Sequence, residues 1–354
     1  MPPAASALSP GGQALLLRVP VPHPHRGSKP PAEYVYWFRE HRLERLPAGE
    51  EGWYWLDART LFRGAGEDTW LEWAPVPEPE RVSCFRPPFP PQPVRYSTAC
   101  HAIDGRGGVA VPWIQVGHPR KAWRHGFAVW ASPSEPPRMI EAEGVRGSDL
   151  VGLLDKQLLI ESPARGRVER WPTQGPNGPT ALLSGHHACV QPLGQAWVLV
   201  GETRPPPYGP LGLEFVCLRV VEVDSGRELW NWRARLHIYS VALSADARWV
   251  LLSWQDWERR VAGVTLLDTN RWVSRDVQSA DRHYAYSVLG WTPRGVAFAR
   301  WPLAELESPS RWELVCANAE ALSAKGQLKG LEVLLRAQAR RRVAETAKPP
   351  QRAG

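Results

Sequence analysis

The sequence has no pair of cysteines at the spacing of a metal or redox motif. Its five cysteines, Cys84, Cys100, Cys189, Cys217 and Cys316, are odd in number and far apart. That pattern argues against a disulfide framework and for buried thiols in a reducing compartment. Long apolar runs are missing too, since no stretch approaches the ~20 residues of a membrane-spanning helix. The opening MPPAASALSPGG has neither the basic region nor the apolar core of a secretory leader. A soluble cytoplasmic protein with no membrane partner is therefore expected. Also absent are GxxxxGK[ST], GxGxxG, HExxH, GxSxG and an EF-hand loop. Nucleotide, zinc-protease, hydrolase and calcium-sensor chemistries are thus left without a motif.

What the chain does have is short apolar stretches punctuated by turn residues. Ile238 to Gln278 shows the unit most clearly: IYSVALS, the turn ADAR, RWVLLSW, the polar QDWERR, VAGVTLLD, the turn DTN, and RWVSRDV. Each stretch has the length and bounding residues of an antiparallel strand. One four-stranded sheet cannot cover its own faces, so neighbours of the same kind are needed. The strand–turn–strand core recurs with turn centres near Gly11, Ala58, Gly105, Lys156, Gly194, Ala247 and Arg294. The intervals are roughly those of propeller blades with loop insertions. The expectation is an all-β fold, a seven-bladed β-propeller of four-stranded antiparallel blades with a C-terminal helix. Its blades fall at about 6–48, 49–94, 95–145, 146–184, 185–236, 237–283 and 284–325. The fourth strand of the last unit is expected at EALSA. The 19 Trp, many on second and third strands, suit the wedges between blades.

The units resemble WD40-type and YVTN-type propeller repeats, most closely in VALSADARWVLLSW of the sixth. The resemblance runs from Ser6 to about Lys325. The WD dipeptide itself is absent, and a Gly-His pair occurs once, at Gly185-His186.

Turns between first and second strands are short, whereas proline-rich or charged inserts follow second strands or join units. VPVPHPHRGSKPPAE, RPPFPPQPV, TRPPPYGPLG and QVGHPRKAWRHG are examples. In a propeller those connections open on one face, which is expected to be the working surface, with only short turns opposite. Aromatic and arginine residues there, Trp123, Arg124, Tyr208, Trp254 and Trp257, are candidate partner contacts. Beyond them, Gln327 to Ala347 has helix formers and leucines at helical spacing. Residues 326–354 are read as a basic amphipathic helix and frayed tail, with Arg340, Arg341 and Arg342 as a second docking element. Nearly all of the formal charge of +7 sits from Lys325 onward.

The function expected from these features is a non-catalytic scaffold for protein partners, with no cofactor. Two alternatives come with their own residues. His187, His237 and His283 precede the inner strands of units five, six and seven. They would ring the channel mouth, where imidazoles could hold a divalent metal for a lyase or oxygenase type of enzyme. The basic tail and the 120–125 loop could instead bind nucleic acid, with Trp123 stacking on a base.

Overall fold

The computed structural model describes residues 6–19, 32–47, 52–64, 71–75, 83–85, 94–96, 101–104, 106–115, 124–132, 135–142, 145, 149–162, 166–175, 178–185, 189–203, 214–233, 236–256, 259–279, 283–305, 311–328 and 331–338. Each blade is an antiparallel meander whose first strand lies innermost. Blade one is Ser6–Leu8, Ala14–Val19, Ala32–Trp37 and Arg42–Arg45. Blade six is Leu236–Leu243, Trp249–Asp256, Val261–Asp268 and Val273–Asp276. Blade seven is Tyr284–Thr292, Gly295–Pro302, Arg311–Ala317 and Glu332–Gln338. The sequence-marked turns fall between first and second strands. Several use the left-handed backbone that a tight reversal needs: Gly11, Asp155, Gly194 and Ala247 have φ of 87°, 31°, 63° and 56°.

Strand alternation explains why the blades must stack. Along Ala14–Val19, Ala14 and Leu16 face blade two, packing with Trp53, Trp55 and Leu61. Leu15 and Leu17 face the other way, onto Ala297 and Leu314 of blade seven. Side chains alternate across a strand, so a second strand that is apolar throughout presents two greasy faces. The other seams repeat the arrangement. Phe62 meets Val109 and Trp130 between blades two and three, and Phe127 meets Leu158 between three and four. Leu159 meets Val198 between four and five, Val220 meets Val250 between five and six, and Leu251 meets Val288 between six and seven. Seven apolar seams close the ring. Trp53, Trp55, Trp130 and Trp301 are among its largest fully buried side chains.

Closure uses no exchanged strand, because blade one draws all four strands from the N-terminal end and blade seven all four from the C-terminal end. The contact is close. A Cβ on Gly12 would lie 1.9 Å from the carbonyl oxygen of Trp291. Polar groups supplement the packing: Arg294 Nη1 of blade seven lies 3.5 Å from His41 Nδ1 of blade one, His41 Nδ1 also lies 3.0 Å from Tyr36 Oη, and Arg294 pairs with Glu332 at 3.1 Å within its own blade.

Three features differ from the sequence expectation. The fourth strand of blade seven is Glu332–Gln338, inside the stretch expected to be a helix, while the residues expected as that strand form the helix Ala319–Lys325. Local capping explains the helix. The Asn318 side chain accepts from the Ala321 N–H at 2.8 Å, and Gly326, at φ 60°, sends its N–H back to the last turn. The strand forms despite its helix formers because Leu334 and Leu335 pack on the seam with blade one, and tertiary burial overrides propensity. Second, the 318–331 connection joins a third strand to a fourth, so the face opposite the long inserts carries a substantial insertion. Third, two segments pair with the same strand of blade three, Val94–Tyr96 and Ala102–Ile103. Arg340, Arg341 and Arg342 lie outside the described residues.

Candidate functional site

The insertion from blade seven rests on blade six. Gln278–Ser279 pairs in parallel with Gln327–Leu328, and Leu322 is buried in the seam between the two blades. Arg275, on the outer strand of blade six, donates to the carbonyls of Ser323 and Ala324. Those carbonyls end the helix, where unpaired acceptors and the dipole favour a cation. Between the insertion and the blade is a recess of about 480 Å³.

Its walls come from two adjacent turns. In the first, the Asp246 carboxylate accepts from the Ser244 hydroxyl at 2.6 Å and from the Arg248 N–H at 3.1 Å. The Ser244 bond, followed by that backbone bond, holds Asp246 below the ordinary carboxylate range. Arg248 emerges from this turn with its guanidinium 4.8 Å from the centre of the Trp249 ring. The second turn carries Arg271 and is bonded to the first, for Thr269 donates from its amide to Arg248 O and from its hydroxyl to Ala247 O at 2.8 Å. Trp272 takes a left-handed backbone at φ 53° and meets Trp197 of blade five edge-on at 5.1 Å. Both turns are therefore held by hydrogen bonds and packing rather than left to drift.

The lining divides into two kinds. Arg248, Arg271 and Arg275 are exposed, and among the described residues none of the three is in an ion pair. Trp249, Leu266 and Val273 are apolar, and Val273 is 61% exposed. Among the described lining residues there is one carboxylate, Asp268, with its Oδ1 accepting from the Asn270 N–H at 3.0 Å. The arrangement has charge, an aromatic face and an apolar floor. It suits recognition of an anionic group attached to something greasy.

The residues singled out from sequence are spread elsewhere. Trp254 is half-buried at the end of a second strand. Its indole donates to Thr265 Oγ1 at 2.9 Å, and that hydroxyl donates to Asp276 at 2.8 Å. Its ring meets Trp232 of blade five at 6.3 Å, so the side chain braces two blades. Arg124 is exposed and pairs with Glu141 on the neighbouring strand. Trp123, Tyr208 and Trp257 lie outside the described residues. His237 is the second residue of the inner strand of blade six, and His283 precedes that of blade seven with its carbonyl accepting from the Leu303 N–H at 2.7 Å. His187 lies outside the described residues, and among them no three His, Cys, Asp or Glu form a metal-sized group. Among the described residues Cys217, half-buried, and Cys316, buried, are free thiols, and burial raises the pKa of both.

Tyr239-Ser240 and Tyr286-Ser287 lie on the inner strands of blades six and seven, and their serines meet. Ser240 and Ser253 oxygens are 2.6 Å apart, and the Ser287 hydroxyl donates to Ser240 Oγ at 3.1 Å. Tyr286 is buried against Phe298. Sequence reasoning missed the arginine recess, since Arg248, Arg271 and Arg275 look like ordinary turn and edge residues until the insertion covers one side of them.

Solved structures share this architecture. Hsv2 from Kluyveromyces lactis aligns with a TM-score of 0.50 at 10% identity, covering 94% of this chain and 98% of that one. The tricorn protease aligns with a TM-score of 0.52 at 10% identity, covering 92% of this chain and 34% of that longer chain. No protein-family model matches the sequence, and no curated protein matches it. At these identities the likeness is one of fold: a WD40-like seven-bladed propeller.

Proposed function

We propose that this propeller is a non-catalytic platform that binds a protein partner in the cytoplasm. The observation that carries the reading is the recess on blade six, where three arginines that make no ion pair among the described residues, and an apolar floor, are fixed by two bonded turns and a stapled insertion. Rigid scaffolds that present arginine and tryptophan in a cleft have the residue types that anchor interfaces. The insert-bearing face, with Arg124 exposed and Trp123, Tyr208 and Trp257 in its sequence, offers a second contact area.

The test is affinity capture with the full chain from its own cells, beside a chain carrying Arg248→Glu and Arg271→Glu. A protein retained in near-stoichiometric amount by the native chain and depleted from the variant supports the platform. If no protein is retained by the native chain, the reading fails.

A further inference from the structure

Resting on that platform reading, we propose that the blade-six recess takes an acidic peptide segment of the partner, with one apolar side chain seated on Trp249, Leu266 and Val273. Charge argues for the class of ligand. Three guanidiniums face one cleft with no ion pair among the described residues; Asp268, the one carboxylate among the described lining residues, already accepts a backbone N–H, and Asp246, whose charge Arg248 also feels, is taken up by the Ser244 hydroxyl and the Arg248 N–H. Guanidinium groups bind carboxylates through paired, directional bonds, so successive Asp or Glu side chains match this wall.

The floor argues for a peptide rather than a bare anion. A phosphate would satisfy the arginines and leave Val273, 61% exposed, in water. An adjacent leucine or phenylalanine would cover it. The volume of about 480 Å³ falls among those of clefts that hold small ligands. The chain's own tail fits poorly, because Arg340, Arg341, Arg342, Lys348 and Arg352 stand against Glu345 alone beyond Gln338. Like charges would meet.

The three arginines do different work. Arg275 is committed to the helix end, so it both positions the wall and leaves part of its fork to a ligand. Arg248 is held over Trp249. Arg271 extends from the turn, so its reversal removes a contact without disturbing the wall.

The experiment is fluorescence anisotropy with the full chain and four labelled probes: an acidic peptide with a central Leu-Phe, the same peptide with Gly-Gly at its centre, a basic counterpart and a short single-stranded oligonucleotide. The Leu-Phe peptide is expected to bind most tightly and to weaken as salt rises. Arg271→Glu and Val273→Asp should each weaken it by about tenfold while the thermal midpoint holds. Equal binding of the Leu-Phe and Gly-Gly peptides would overturn the apolar anchor, and preference for the oligonucleotide would overturn the peptide assignment. So would affinity that both variants leave unchanged. If a captured protein still depends on Arg248 and Arg271 while no acidic peptide binds, the platform stands and this assignment falls.

Discussion

Alanine substitutions at Gly11 and Gly12 separate two costs at the ring's closure. Both residues lie in the first turn of blade one with left-handed φ, 87° and 72°. A Cβ at Gly11 meets nothing within 4 Å, whereas one at Gly12 would lie 1.9 Å from Trp291 O and 3.1 Å from Thr292 Cα in blade seven. The backbone penalty for alanine is roughly 1–2 kcal/mol at either site. At Gly12 blade seven must also retreat by about an ångström, and overpacking of that kind costs roughly 1–3 kcal/mol. Gly12→Ala should therefore lose more stability than Gly11→Ala by roughly 1–3 kcal/mol. Urea titration followed by tryptophan fluorescence reads the difference as a shift in midpoint at constant slope. Equal midpoints would mean that blades one and seven do not touch there, and the packed closure would be refuted.

Other consequences follow from single groups. Glu33, 7% exposed, accepts from Arg18 Nε at 2.8 Å and from the Trp53 N–H at 3.1 Å, tying blade one to the entry of blade two. Glu33→Ala strands both donors and should cost about 2–3 kcal/mol in the same titration. Asn318→Ala removes the cap of the blade-seven helix and should cost about 1 kcal/mol. Because Arg275 holds that helix's last carbonyls, the variant should also weaken the acidic peptide in the anisotropy assay. Burial raises the Cys316 pKa. Its contribution to stability is complete below the unfolded thiol's pKa of about 8.5 and is lost as pH climbs towards the folded value. Urea midpoints measured from neutral to alkaline pH should fall less steeply for Cys316→Ala than for the native chain, and identical slopes would show that this thiol is not buried.

The blade count was legible because reversals leave a chemical trace. Gly11, Gly194 and the Ser244–Arg248 turn mark where a strand doubles back, and the apolar stretches beside them have strand length. The seams were legible in kind, since ALLL or WVLLS can be buried only if both faces are covered. The C-terminal swap was not. Asn318 and Gly326 do carry capping signals, but EALSA is equally short and small enough for a strand. EVLLRAQ has leucines that fit either period, and only the open edge of the Arg311–Ala317 strand decides between them. The recess was illegible for a different reason. Arg248, Arg271 and Arg275 belong to blade six, while Ser323 and Ala324 arrive from blade seven, and no local pattern records which outer edge an insertion will reach. Trp254 has a structural role that its sequence setting did not announce: its indole donates to Thr265.

Hydrogen exchange with and without the Leu-Phe acidic peptide tests the central claim most directly. Slowed exchange confined to 244–250, 266–276 and 318–328 is the predicted result. Protection on the insert-bearing face alone, with these three segments unchanged, would contradict it.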